Sequence, residues 1–138
     1  MKKSLIILTL AGALLGGCTA LEKTSNTEKV DTLKVEKVID MKAIEGVEYT
    51  LENSDVTIVF DNNKVYGFSG VNRYFGMAQV EGDNLKITNV ASTMMAGPQS
   101  KMEAETEYLK TLSGVEKISV EKNTIILSGN NKVLKFVK

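Results

Sequence analysis

From Gly46 to Lys138 the chain is a run of short apolar–polar alternations broken by asparagine, aspartate and glycine, and this rhythm leaves few folds open. Val47-Glu48-Tyr49-Thr50-Leu51 and Val56-Thr57-Ile58-Val59-Phe60 alternate with the period of two that buries one face of a strand and wets the other. Asp61-Asn62-Asn63-Lys64 reads as a hairpin turn, because asparagine tolerates the positive φ that tight turns require. Strands are predicted over Val65–Gly70, Tyr74–Val80, Leu85–Ile87 and Val90–Met95, with Glu81-Gly82-Asp83-Asn84 as a second turn. Gly97-Pro98 opens one helix, with proline at the first helical position, where its missing N–H costs nothing. Met102, Tyr108, Leu109 and Leu112 gather on one side of it; Lys101, Glu103, Glu107 and Lys110 stay wet. Ser113-Gly114 ends it, with glycine expected to enter the left-handed region. Three more strands follow, Val115–Glu121, Thr124–Ser128 and Val133–Val137, the last two joined by Gly129-Asn130-Asn131-Lys132. The Asn-Asn-Lys-Val echo of the first hairpin reads as reuse of good turn chemistry rather than duplication. A sheet of about nine strands must pair or cover its edges. The expected fold is therefore mainly β with one α-helix: an antiparallel meander curled into a small barrel or half-barrel, the helix packed across it.

The N-terminus follows different rules. Lys2 and Lys3 precede an apolar run, and Leu15-Gly16-Gly17 leads into Cys18, the chain's one cysteine. A basic n-region, an apolar h-region and small residues before a cleavage point make a secretory signal peptide. The Leu-small-small-Cys ending resembles the lipobox of bacterial lipoproteins, which implies lipid on Cys18. A transmembrane helix needs about 20 apolar residues, more than Ser4 to Gly17 supplies. Two or more acyl chains anchor a protein stably without crossing the bilayer. The chain thus divides into a cleaved signal peptide (1–17), a lipidated cysteine with a flexible tether (18–42) and a globular domain (43–138). Within the tether, residues 30–42 carry a weak apolar rhythm, which leaves a short, loosely docked element as an alternative. Thr19 is not the aspartate associated with inner-membrane retention, so in a Gram-negative host the anchor is expected in the outer membrane, facing the periplasm.

Composition removes several function classes. The precursor balances 17 Lys+Arg against 17 Asp+Glu, and loss of Lys2 and Lys3 leaves a balance of −2. No basic excess exists to neutralise phosphates, so nucleic acid is not an expected partner. Histidine and tryptophan are absent, which takes away the commonest general base and metal ligand. With Cys18 committed to lipid, no thiol and no disulfide remain. No metal or cofactor is expected, and the fold must stand on its core alone.

Gly67-Phe68-Ser69-Gly70-Val71-Asn72-Arg73-Tyr74-Phe75-Gly76 is poor strand material, since three glycines and an asparagine in ten residues weaken pairing. Together with Ala91-Ser92-Thr93-Met94-Met95-Ala96-Gly97-Pro98 and Glu105-Thr106-Glu107-Tyr108-Leu109, this ordered set resembles the META domain (HslJ-like) family of small bacterial envelope proteins. The resemblance covers about Gly46 to Lys138. It implies motif cysteines where Val71 and Gly97 stand here. If that pair is bonded in relatives, it closes a loop of about 26 residues, worth roughly 3–4 kcal/mol in the chain-entropy model. The resemblance singles out Gly70, Asn72, Arg73, Gly76, Thr93, Met95, Pro98 and Glu105 as motif residues.

These residues read as architecture before chemistry. Gly70 and Gly76 permit a bulge or sharp bend, Asn72 can tie its amide to backbone groups left unpaired there, and Thr93 and Met95 are expected against this corner. Glu103, Glu105 and Glu107 read as a solvated helix face, the alternative being Glu105 turned inward to Arg73 or Asn72. Met77, Met94, Met95 and Met102 are expected to fill the core, a soft binding patch being the alternative. The resulting expectation is a non-enzymatic, lipid-anchored envelope protein that binds a partner, such as another envelope protein, or supports envelope integrity and stress tolerance. The alternative is a carrier of an apolar ligand, an acyl chain or small hydrophobe, held between sheet and helix.

Overall fold

Eight antiparallel strands follow one another around a ring in strict sequence order. The structure, a computed structural model, describes residues 38–138; the signal peptide, Cys18 and most of the tether lie outside the described residues. The strands are β1 (Glu48–Leu51), β2 (Thr57–Asp61), β3 (Lys64–Phe68), β4 (Arg73–Glu81), β5 (Asn84–Ser92), β6 (Lys117–Glu121), β7 (Thr124–Gly129) and β8 (Lys132–Val137), with helix α1 (Gln99–Leu112) between β5 and β6. Pairing of β1 with β8 through Thr50↔Val137 and Leu51↔Phe136 closes the ring into a small barrel. The thinnest seam lies between β5 and β6, which share the single register pair Asn84↔Lys117. Leu85 N to Glu116 O and Ile118 N to Asp83 O, both 2.9 Å, hold it together.

Local chemistry explains the hairpins. Asn62 and Asn63 take φ of 45° and 63°, and Asn130 and Asn131 take 49° and 60°. Two successive positive φ values give the turn whose twist matches its flanking strands. Period-two alternation then sorts the side chains. Along β4, Tyr74, Gly76 and Ala78 are buried while Arg73, Phe75, Met77 and Gln79 are not. Ile58, Val65, Ile118, Ile125, Leu127 and Phe136 fill the centre with almost no exposure. Each contributes roughly 1.5–3 kcal/mol by leaving water.

Three expectations need correction. Among the described residues there are eight strands, not nine, because Leu85–Ile87 and the segment after it form one strand. Asn89 enters the left-handed region with φ 54°, and the register shifts from Phe75↔Ala91 to Met77↔Thr88. Asn89 and Val90 thus bulge opposite Gly76, and the strand continues instead of turning. Secondly, Pro98 is the N-cap, with ψ 137°, and the first helical residue is Gln99. Thirdly, Gly114 has no positive φ. A side chain there would meet Asn130 Nδ2 at 2.5 Å, so it is glycine because the β7–β8 turn packs against the helix exit. Of the two readings of residues 30–42, tether or short docked element, the described part fits the docked element. Ile39 and Met41 pack against the core, a 3-10 turn spans Met41–Ala43, and Ile44 is buried.

Candidate functional site

Among the described residues, the buried polar or charged side chains are Ser69, Asn72 and Glu105, and all three meet at one corner. The β3–β4 connection makes the corner possible. Gly70 turns with φ 106°, a conformation that side chains oppose, and Ser69 N donates to Asn72 O at 2.8 Å to close the loop. From the other side, α1 delivers Glu105. Glu105, Tyr108 and Leu112 are the buried residues of α1, spaced three and four apart, so they share one helix face.

The carboxylate of Glu105 is saturated with donors. Its Oε2 accepts from Asn72 N at 2.7 Å, Ser69 Oγ at 2.8 Å and Val71 N at 3.2 Å, and its Oε1 accepts from Asn72 Nδ2 at 2.8 Å. Ser69 Oγ also lies 2.8 Å from Asn72 O. That carbonyl already accepts from Ser69 N, so the single hydroxyl proton goes to the charged oxygen. Burial pushes the Glu105 carboxyl up, but the hydrogen bonds from the Asn72 side chain, the Asn72 backbone, Ser69 and Val71 together outweigh it. The net result is a pKa below the ordinary glutamate value, and the group is an anion in the folded state.

Asn72 has no capacity left either. Its Nδ2 donates to Met95 O at 3.2 Å as well as to Glu105, and its Oδ1 accepts from Met95 N at 2.6 Å and Thr93 Oγ1 at 2.8 Å. Two donors and two acceptors are all that an amide side chain offers. One residue therefore fastens the β3–β4 loop to the β5–α1 loop, while Glu105 fastens both to the helix.

The structure brings together Gly70, Asn72, Thr93, Glu105 and the backbone of Met95. Arg73 joins through its backbone alone: its N donates to Thr93 Oγ1 at 3.2 Å, and its O accepts from Thr93 N at 3.0 Å. The partner of Glu105 is thus Asn72 and not Arg73, and Glu105 leaves the solvated face expected for it. Pro98 stands at the helix start, where its carbonyl accepts from Lys101 N and Met102 N. Gly76 is elsewhere, facing the β5 bulge, where an added Cβ would approach Thr88 O to 3.1 Å. The methionines expected in the core are at the surface: Met94 is 98% exposed, Met95 61%, Met77 42% and Met102 37%. Met77 falls on the outward phase of β4, Met94 and Met95 lie in the loop between β5 and α1, and Met102 is outside the buried set of α1, which is Glu105, Tyr108 and Leu112.

Ser69 was not foreseen, nor was the buried tyrosine pair beneath the helix. Tyr74 OH donates to Thr57 O at 2.8 Å and lies 2.7 Å from Tyr108 OH, so Tyr108 donates to Tyr74. The rings meet edge to face at 5.5 Å. Burial pushes both phenols above the ordinary tyrosine value. The clue in the sequence was periodicity: Glu105 sits three residues before Tyr108, on the stripe that must face inward. A further contact joins the two positions, 71 and 97, at which the resemblance implies cysteines. A Cβ placed on Gly97 would lie 2.9 Å from Val71 Cγ1 and 3.6 Å from Val71 Cβ. The valine occupies the room that a side chain at 97 would need.

The family model of the META domain matches residues 32–138. The chain belongs to the META domain family. Two solved structures share the fold of this META domain. One is the NMR structure of a protein from Burkholderia xenovorans, with TM-score 0.59 and 19% identity over 70% of this chain and 83% of that one. The other, also an NMR structure, has TM-score 0.58 and 17% identity over 72% of this chain and 95% of its own. No curated protein matches in sequence. Of the residues that the resemblance singles out, Gly70, Asn72, Thr93, Met95 and Glu105 meet at the saturated corner, Gly76 faces the β5 bulge and Pro98 stands at the helix start.

Proposed function

We propose that the protein is a lipid-anchored cell-envelope protein whose META domain is a rigid, non-enzymatic binding module that supports envelope integrity under stress. The observation that carries the anchoring is Lys2-Lys3, the apolar run and Leu15-Gly16-Gly17-Cys18. The non-enzymatic reading draws on the corner. A general base needs a lone pair within reach of substrate, and the Glu105 and Asn72 side chains spend theirs on each other and on two loops. Rigid positioning of surface loops is what such a network provides. Against the carrier alternative, Tyr74, Tyr108, Leu112 and Phe136 occupy the space between helix and barrel.

The test is metabolic labelling with an alkyne analogue of palmitate, followed by envelope fractionation, for the native protein and Cys18→Ala. Label and envelope association in the native protein, both lost in Cys18→Ala, are the expected result. An unlabelled native protein would overturn the anchor.

A further inference from the structure

Methionine ordinarily fills irregular space in a core, yet three of the chain's six methionines, Met94, Met95 and Met102, cluster along one short stretch at the surface. The loop that carries Met94 and Met95 runs from the end of β5 at Ser92 to the start of α1 at Gln99. It is held from beneath. Met95 N donates to Asn72 Oδ1 at 2.6 Å, Met95 O accepts from Asn72 Nδ2 at 3.2 Å, and Thr93 N donates to Arg73 O at 3.0 Å. The Met95 backbone is thus spent on Asn72, and its 61% exposure belongs to its side chain. Met94 is almost wholly exposed. Met102 differs, because its Sδ accepts from Gly97 N at 3.4 Å. Of the other methionines among the described residues, Met77 stands on the outer wall of β4 and Met41 packs against the core.

The one cysteine of the chain is Cys18, and tryptophan is absent, which leaves the thioethers as the first target of a two-electron oxidant. The sulfur lone pair attacks one oxygen of a peroxide; the S–O bond forms as the O–O bond breaks, and the other oxygen leaves as water. Sulfur loses two electrons and the peroxide gains them, so thioether and hydrogen peroxide become sulfoxide and water. A dithiol reductase reverses the change, removing the oxygen as water while its two thiols become a disulfide. Attack needs a lone pair open to solvent, so exposure sets the order of reaction. Met94 and Met95 come first, Met102 follows because one of its lone pairs is engaged by Gly97 N, and Met41 comes last. A sulfoxide inside a core disrupts packing. At this loop it meets no such obstacle, because the corner beneath is fastened by oxygen and nitrogen atoms of Asn72, Ser69 and Glu105 and not by sulfur.

We propose that the β5–α1 loop is a reversible methionine-oxidation site, with Met94 and Met95 as the residues that take oxygen from peroxide-class oxidants. Oxidation replaces two apolar thioethers by sulfoxide dipoles, which accept hydrogen bonds, on a backbone that Asn72 keeps in place. The modification changes the chemistry of the surface over the corner and leaves the fold intact. For its setting the site rests on the envelope reading, which puts the domain where oxidants from outside the cell arrive first.

The test uses the whole mature chain without lipid, residues 19–138, in excess hydrogen peroxide. Sulfoxide at each methionine is followed in time by tryptic digestion and mass spectrometry. Cleavage after Lys37, Lys42, Arg73, Lys86, Lys101 and Lys110 puts Met41, Met77, the Met94–Met95 pair and Met102 on different fragments, and fragment ions separate Met94 from Met95. Met94 and Met95 should oxidise at least about tenfold faster than Met41, with Met77 and Met102 between them. The melting temperature of protein oxidised at Met94 and Met95 should stay within about 2 °C of the native value. In guanidinium chloride the rates should converge, because the fold sets their order. Methionine sulfoxide reductases A and B together should restore the unmodified mass. Met94→Leu with Met95→Leu, both at exposed positions, should remove the fast phase and leave the rates at Met77 and Met102 unchanged. A folded protein in which Met41 or Met102 oxidises as fast as Met94 would overturn the proposal. So would rates that stay ordered in guanidinium chloride, a clear fall in melting temperature once Met94 and Met95 are oxidised, or sulfoxides that the reductases leave in place. Fast oxidation of Met94 without palmitate labelling of the native protein would sink the envelope setting and spare the site; labelling with slow oxidation of Met94 would do the opposite.

Discussion

Replacing Val71 and Gly97 together by cysteine should produce a disulfide that the native chain lacks, and the geometry allows its effect to be worked out. A Cβ built on Gly97 lies 3.6 Å from Val71 Cβ, inside the range of about 3.5–4.5 Å that disulfides require. The bridge would close a loop of about 26 residues, which the chain-entropy model rates at roughly 3.5 kcal/mol at 25 °C. Against this stands the loss of the half-buried valine methyls, about 1 kcal/mol. The net gain is about 2–3 kcal/mol, or a rise in Tm on the order of 10 °C for a domain of this size. The single substitutions should behave differently. Gly97→Cys alone drives a side chain to 2.9 Å from Val71 Cγ1 and should destabilise, whereas the same change beside Val71→Cys should not. The coupling between the two positions is then visible even under reducing conditions. The assay is thermal unfolding followed by circular dichroism, oxidised and reduced, in a background with Cys18→Ala so that thiol titration counts the introduced pair alone. Free thiols persisting in oxidising buffer would refute the geometry. A formed bridge with unchanged or lower Tm would refute the energetic reasoning.

Two further substitutions probe the corner and the barrel wall. Glu105→Gln keeps the shape and can keep an oxygen toward the three donors at the Oε2 position, but it sets its NH2 against Asn72 Nδ2, donor to donor, and removes the charge, which should cost about 2–3 kcal/mol in urea unfolding. Because the folded-state pKa of Glu105 is depressed, its contribution is present above the unfolded value of about 4.5 and is lost as pH falls through the folded value. The native protein should therefore weaken on acidification below pH 4.5 more steeply than Glu105→Gln, and parallel acid limbs would sink that account. At Gly67 an added Cβ would sit 2.1 Å from Thr57 O, a backbone atom with no room to yield. Gly67→Ala should cost about 3 kcal/mol or more by forcing β2 and β3 apart, and a melting temperature equal to the native one would contradict this packing.

How much of this was legible depended on distance along the chain. The Asn-Asn hairpins and the helix were readable because a turn or a helix is specified by neighbouring residues. The second strand boundary failed for the same reason: Thr88-Asn89 has turn composition, and only pairing with Gly76 across the sheet makes it a bulge. For Glu105 the inward alternative with Asn72 as partner is the one the structure takes; carboxylates two apart on a helix look wet, but its spacing from Tyr108 and Leu112 puts it on the inner stripe. Met77 was misplaced because apolarity alone does not say which face of a strand a residue occupies, and Met94 and Met95 because β5 ends at Ser92 and leaves them in a loop. At the corner, Gly70 and Asn72 were recognisable as residues of a bend, but the acceptor count that saturates Asn72 comes from Thr93, Met95 and Glu105, more than twenty residues away.

The sequence by itself determined the strand-and-turn alphabet, the place of the helix, and membership of the META domain family. Those follow from local conformational preference, and from residue order. Only the tertiary structure decided that β8 returns to β1 and that a buried anion holds three segments together. It also decided that Val71 fills the space over Gly97 and that Tyr66 and Phe75 stand outside the barrel. Each of these is set by which distant atoms share a volume, and a linear chain acquires that information only when it closes on itself.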